Sequence, residues 1–271
     1  MKRIAIHSVP RSGSTWLGEI FNSNPDVIYK YQPLFSYAFK DRLTTKSSVK
    51  EIIEFYKEIG ESNDDFLNQI EARKKGKMTF FKKKDYIKSI VYKEVRYHHI
   101  IENLLINDSE IKVIGLVRNP LAVINSWLNA PKEFKKDLGW DLQEEWRYAS
   151  KKNQNKPEEF NGYEKWKEVT KLFLDLKQRY PNQFCMVNYD DLLQNTEKEV
   201  VNLFEFCGLV INAQTKSFLT ESKKINHSDA YSIFKSKRTD NIWRESLPKF
   251  IIDEIFNDSD FIELNKLFSW V

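Results

Sequence analysis

Long apolar runs are missing from this 271-residue chain. No stretch approaches the eighteen or so uninterrupted apolar residues that a membrane span requires. The first predicted strand begins at Arg3, which leaves no room for a secretory leader, so a cytoplasmic location is expected. Cysteine is scarce. Its two copies, Cys185 and Cys207, stand in the apolar settings "QFCMV" and "FEFCGL", where a thiol packs as a small hydrophobe. That argues against a disulfide framework and against any metal site, and none is expected. Internal repeats, low-complexity tracts and Pro/Gly-rich linkers are also lacking, so a single domain over 1–271 is the economical organisation. A net charge of +4 is too mild to call for a nucleic-acid partner. Asn-x-Ser sequons at Asn107, Asn226 and Asn257 carry no meaning without a secretory route.

What is present is a core. At 41% hydrophobic and 14% aromatic residues, the chain has enough to fill one large α/β interior. "RIAIHSV" reads as a buried strand, and "GSTWLGEIFNSNPDV" as a helix that stops at Asn24-Pro25. "VIYKY" is a second short strand. Ile52, Phe55, Tyr56 and Ile59 recur at helical spacing in 49–60, and a further helix is expected from Ser62, both in an insertion over the sheet. "SIVYKEV" (89–95) and "IKVIGLV" (111–117) are separated by one helix's worth of residues, the βαβ rhythm of a parallel sheet. A helix follows Asn119-Pro120, two longer ones cover 140–152 and 158–180, and "QFCMVNY" is a last strand. Thr196 and Glu199 have the spacing of a capping box, and the remainder reads as helix and loop. The predicted fold is three-layer α/β with a central parallel sheet and a helical C-terminal part.

One charged stretch stands out. "ARKKGKMTFFKKKDYIK", residues 72–88, holds eight Lys or Arg against one Asp. It suits a solvated loop, or a rim for an anionic acceptor.

The loop "SVPRSGSTW" joins the first strand to the first helix. A turn through Ser12, Gly13, Ser14 and Thr15 into a helix aims backbone N–H groups and a positive helix end at one spot, which favours a phosphate-like anion. Gly13 permits close backbone approach, the hydroxyls add donors, and Arg11 contributes a guanidinium that is charged at any accessible pH. Arg11 can therefore stabilise negative charge but cannot serve as a base. The nucleotide-binding pattern G-x-x-x-x-G-K-[ST] is not met, because Ser8 replaces the first glycine and Ser14 the lysine.

A second group lies in "IGLVRNPLAVINSW", residues 114–127. Arg118 stands at the carboxyl end of a predicted parallel strand, where open α/β sheets place their ligands, and Ser126 lies about two helical turns further on. The pair could grip another phosphate. Taken alone, Arg118 equally suits a strand cap or a carboxylate partner.

With these stretches in place, the chain resembles the sulfotransferases that use 3′-phosphoadenosine 5′-phosphosulfate (PAPS), with their P-loop-like fold. "VPRSGSTWLGEI" is similar to the family's 5′-phosphosulfate loop and "VRNPLAVINSW" to its 3′-phosphate motif. "VNYDDLLQNTEKEVVNLFEFCGL" resembles the family's Tyr-Glu-Asp-Leu strand end, and "KSKRTDNIWRESL" its C-terminal basic segment. The resemblance implies that Arg11 and Ser12 to Thr15 cradle the 5′-phosphosulfate, that Arg118 and Ser126 with Lys237 or Arg238 bind the 3′-phosphate, and that Trp16 and Tyr189 flank adenine. It implies sulfuryl transfer to a hydroxyl without a metal. A cation beside the departing phosphate oxygen lowers the barrier, a role for Arg11 with Lys93 assisting.

The proton acceptor is where the chain departs from its relatives. Gln32 in "YKYQPLF" stands where carbohydrate-acting members often have glutamate, and Val95 where phenol-acting ones have histidine. Glu94, His98 and His99 are the remaining candidates, with Glu94 ahead although strand alternation turns it from Lys93, and His7 is expected to be packed. The spacing in "NPDVIYKYQPLF" and the basic run favour a sugar or glycan acceptor, with tyrosine, lipid and small-alcohol acceptors left open. A P-loop nucleotide or small-molecule kinase is the rival enzyme reading, weakened by the missing lysine. A non-catalytic relative that only binds donor nucleotide or glycan is kept alive by Gln32.

Overall fold

The computed structural model describes residues 1–224, 233 and 240–271. Strands β1 (Lys2–His7), β2 (Val27–Tyr31), β3 (Ser89–Glu94), β4 (Lys112–Val117) and β5 (Phe184–Asn188) form one sheet in the order β2-β3-β1-β4-β5. All four pairings are parallel. Parallel strands need crossovers, and the crossover helices cover both faces, which is why these strands are apolar almost throughout.

Period-2 alternation divides their side chains between two layers. Ile4, Ile6, Val91, Ile114, Leu116 and Val187 face one side, where they meet Trp16, Leu17, Ile20 and Phe21 of α1 (Ser14–Asn22). Ala5, Ile90, Tyr92, Val113, Val117 and Phe184 face the other, against Ile52, Phe55, Tyr56 and Ile59 of α2 (Val49–Glu61). Each large apolar side chain fully buried in this way contributes about 1.5–3 kcal/mol. The remaining helices follow in order: α3 (Ile70–Lys74), α4 (Ile101–Asn107), α5 (Pro120–Leu128), α6 (Leu142–Tyr148), α7 (Ser150–Asn153) and α8 (Tyr163–Arg179). After β5 come α9 (Tyr189–Gln194), α10 (Thr196–Phe206), α11 (Ala213–Lys224), α12 (Trp243–Ser246), α13 (Lys249–Phe256) and α14 (Ser259–Phe268).

Polar side chains that bond the backbone moved several expected boundaries. No helix starts at Ser62: Ser62 Oγ accepts from the Asp64 N–H at 3.2 Å and Asp64 Oδ1 from the Leu67 N–H at 2.9 Å, so turns run up to α3. The helix expected from 158 begins at Tyr163, because Asn153 and Asn161 exchange amide bonds (Asn153 Nδ2 to Asn161 O, 2.9 Å; Asn161 N to Asn153 Oδ1, 3.0 Å). The stretch 140–152 is divided between α6 and α7 at Ala149, whose φ is 46°. Thr196 does not cap α10. It lies inside the helix and donates its hydroxyl to Leu192 O at 2.7 Å; the capping box forms instead at Ser48 and Glu51, ahead of α2.

The basic run 72–88 is in large part tied down. Arg73 forms a two-pronged ion pair with the buried Glu19 of α1 (2.9 and 2.5 Å). Lys83 Nζ donates to Asn22 Oδ1 (2.9 Å), Val27 O (2.7 Å) and Asn24 O (3.3 Å), and Lys84 pairs with Asp26 at 2.7 Å. These cations hold the segment against the carbonyl-rich end of α1.

Candidate functional site

The β1–α1 loop turns through two left-handed residues, Arg11 (φ 71°) and Gly13 (φ 88°). Gly13 caps α1, its carbonyl accepting from the Trp16 N–H at 3.0 Å. A β-carbon there would stand 2.4 Å from Tyr189 Cε2, so only glycine lets the loop pass the ring. Ser12 is fully buried and its Oγ has no hydrogen-bond partner among the described residues, as is true of Ser8. Buried hydroxyls in that state at a helix N-terminus fit an anion's oxygens.

Arg118 projects from the end of β4 into this loop. Its Nη1 donates to Arg11 O at 2.6 Å, its Nε to Asp240 Oδ1 at 2.8 Å, and its plane lies 4.8 Å over the Tyr189 ring. Its own carbonyl accepts from Trp166 Nε1 at 3.0 Å, which fixes the backbone. Arg11 Nε donates to Ser126 Oγ at 3.1 Å. The two stretches expected to grip anions, more than a hundred positions apart in sequence, are therefore interlocked. Trp16 meets Tyr189 edge-on at 6.4 Å and donates its indole N–H to Ser222 Oγ at 3.3 Å. Lys237 and Arg238 lie outside the described residues.

Arg11, Gly13, Trp16, Arg118, Ser126 and Tyr189 line one cavity of about 1070 Å³, which Lys93, Gln32, Val95 and Arg96 line as well. Lys93 is almost fully buried, with Nζ 4.3 Å from the centre of the Tyr31 ring. Burial pushes its ammonium well below the ordinary lysine range, and the neighbouring Arg96 and Arg11 act in the same direction. Gln32 is held by Arg96 Nη1, which donates to its Oε1 at 3.1 Å; Arg96 itself pairs with Glu159 at 2.8 Å.

The three candidates for proton acceptor do not line this cavity. Glu94 is next to Lys93 in the strand and so turns to the opposite face, where its Oε1 accepts from the Leu34 N–H at 2.8 Å. Burial pushes its carboxyl above the ordinary range. His98 is buried between Phe160 and Phe173, with Nδ1 3.1 Å from Nδ1 of His7. His99 is the surface residue of the pair. His7 is packed as expected; burial pushes it down to about 3.

Two carboxylates escaped the sequence reading. Glu133 lines the cavity beyond α5, largely buried, with Lys152 Nζ at 3.0 Å, and its charge is felt by both Lys93 and Tyr31. Asp240 holds Arg118. For Asp240 a signal existed, an acid two residues past Lys237-Arg238; for Glu133 there was none, since only the fold carries it to Lys93.

The sulfotransferase domain model matches residues 1–260, and the chain belongs to that family. Among solved structures, the mouse sulfotransferase SULT7A1 complexed with PAP is 14% identical, covering 98% of this chain and 89% of its own, with a TM-score of 0.53. The sulfotransferase domain from the Synechococcus PCC 7002 olefin synthase is 20% identical, covering 99% and 94%, with a TM-score of 0.54. A retinol dehydratase in complex with retinol and PAP is 14% identical, covering 93% and 78%, with a TM-score of 0.50. The all-parallel sheet flanked by helices is the fold these structures share with it. No curated protein matches the sequence.

Proposed function

We propose that this chain is an enzyme that transfers a sulfuryl group from PAPS to a hydroxyl acceptor. The observation that carries the reading is the interlock of the two grips, Arg118 on Arg11 O and Arg11 on Ser126, in one cavity with Lys93. A donor with two separated phosphate groups needs two such grips. Ser12, Gly13, Ser14 and Thr15 receive the 5′-phosphosulfate, Arg118 and Ser126 the 3′-phosphate with Lys237 or Arg238, and Trp16 and Tyr189 flank adenine. The buried Ser12 hydroxyl, without a partner among the described residues, supports the fit.

The donor supplies the sulfuryl group and leaves as 3′-phosphoadenosine 5′-phosphate (PAP). Arg11, which cannot deprotonate, offsets the charge left on the departing oxygen. Lys93 adds a second cation, and the donor's negative charge favours its protonated form against the burial that opposes it. Gln32 is not a base, and its amide is fixed by Arg96. Glu133 takes the acceptor's proton in place of the expected Glu94, because it lines the cavity and Glu94 does not.

For the acceptor we favour a sugar hydroxyl. Lys75 and Lys77 of the basic run and the neighbouring Lys132 line the cavity, suiting an acidic glycan, and "NPDVIYKYQPLF" has the spacing of the carbohydrate-acting branch. A second reading, a small apolar alcohol, is favoured by Phe66, Met78 and Val95 in the same lining. Calorimetric titration with PAP beside ATP and magnesium tests the donor, and binding of ATP alone would return the chain to the kinase reading. A panel of sulfatable sugars, phenols and alcohols with PAPS tests the acceptor. Transfer to none of them, with PAP bound, would favour a binding relative.

A further inference from the structure

Asp240 stands on the guanidinium that the donor reading gives to the 3′-phosphate. Arg118 directs Nε and Nη2 at the single oxygen Oδ1, while Oδ2 is buried with no hydrogen-bond partner among the described residues. The ion pair of Arg73 with Glu19 shows what a settled buried pair looks like in the same molecule. There both carboxylate oxygens are engaged, each taking one guanidinium nitrogen and the Asn22 amide at 3.3 Å. A buried carboxylate that leaves one oxygen unsatisfied gains less from its surroundings than one with both oxygens engaged, so it is the more readily exchanged of the two. The surroundings add to this. Asp190 lies beside Asp240, and burial together with that second carboxylate pushes its carboxyl above the ordinary range.

We propose that Asp240 is an internal competitor for the 3′-phosphate: it holds Arg118, yields it to a 3′-phosphorylated nucleotide, and so limits the preference of the cavity for that nucleotide over its 3′-hydroxyl counterpart. The inference rests on the donor reading above. A phosphate oxygen that reaches Arg118 must take the place of Asp240 Oδ1, and its charge must overcome two carboxylates. A nucleotide with a 3′-hydroxyl leaves the Arg118–Asp240 pair intact. The exchange therefore weighs on one ligand and not on the other, which makes Asp240 a specificity-determining residue rather than a general part of the binding surface.

The test is calorimetric titration of wild type, Asp240→Asn and Asp190→Asn with PAP and with adenosine 5′-phosphate, with the melting temperature of each variant recorded. Asn keeps the shape and one acceptor for Arg118 while removing the charge. We expect Asp240→Asn to bind PAP roughly tenfold more tightly and adenosine 5′-phosphate within twofold of wild type. Asp190→Asn, which does not touch Arg118, should show a smaller gain for PAP alone. Weaker or unchanged PAP binding by Asp240→Asn would mean that Asp240 orients Arg118, and would overturn the inference. Equal tightening of both nucleotides would do the same, by reducing the effect to net charge. Should neither the wild type nor Asp240→Asn bind PAP, the donor reading falls and this inference with it, whereas the preceding outcomes remove the inference alone.

Discussion

Replacing Gly13 by alanine perturbs the site in two separable ways. With φ at 88°, the residue lies in the left-handed region, where an added Cβ costs about 1–2 kcal/mol. That Cβ would also stand 2.4 Å from Tyr189 Cε2 and 2.9 Å from Cδ2, an overlap the ring must move to relieve, at about 1–3 kcal/mol. Together these amount to about 2–5 kcal/mol, or roughly 4–10 °C in melting temperature for a chain of this size. Gly139 supplies the internal control. Its φ is +67° and nothing lies within 4 Å of its would-be Cβ, so Gly139→Ala should show the conformational part alone. Thermal unfolding of Gly13→Ala, Gly139→Ala, Tyr189→Ala and the double variant Gly13→Ala/Tyr189→Ala separates the parts. The double variant should lose less than the sum of its singles, by about the overlap energy. Because Tyr189 lies under Arg118 and beside Trp16, its displacement should also weaken PAP binding. A melting temperature for Gly13→Ala no lower than that of Gly139→Ala, or strict additivity in the double variant, would refute the reasoning.

Arg118→Ala should weaken PAP binding by about 1.5–3 kcal/mol through loss of a charged hydrogen bond, and unchanged affinity in calorimetry would remove that residue from the donor site. Arg73→Met leaves Glu19 buried without its cation and should cost about 3–5 kcal/mol in urea unfolding; a loss under 1 kcal/mol would contradict the staple assigned to the basic run. Glu133→Gln should lower turnover and leave PAP affinity as it was, and full activity would return the base to Glu94 or another group. His7 lies near 3 and His98 well below its ordinary value, so each imidazole contributes stability that is complete above pH 6.5 and is lost as the pH falls toward those values. Glu94, displaced upward, acts in the opposite sense. The two effects oppose each other where their pH ranges overlap, so imidazole resonances in nuclear magnetic resonance are the proper readout: His7 and His98 should remain neutral at pH 5 in the folded protein, and titration of either near 6.5 would refute their burial.

Local chemistry determined much of this protein from the sequence alone. The strands were readable because burial on both faces demands unbroken apolar runs, and the β1–α1 turn because a strand, a glycine, a hydroxyl pair and a helix are consecutive in the chain. The alternation of a strand also turns Glu94 away from Lys93 by sequence position alone. Tertiary structure decided the rest. Turn chemistry at 62–69 and the Asn153–Asn161 amide bonds outweighed helical spacing, because polar side chains compete with the helix for its own backbone groups. Whether Arg118 faces a phosphate or a carboxylate depended on where Asp240 returns, and whether Arg73 belongs to a rim or a staple depended on Glu19, more than fifty positions away. Glu133, just beyond the end of α5, reaches the neighbourhood of Lys93 only through the tertiary fold. Backbone conformation and periodicity are set by neighbours in sequence, whereas the partner of a charge is set by whichever distant segment the core brings to it.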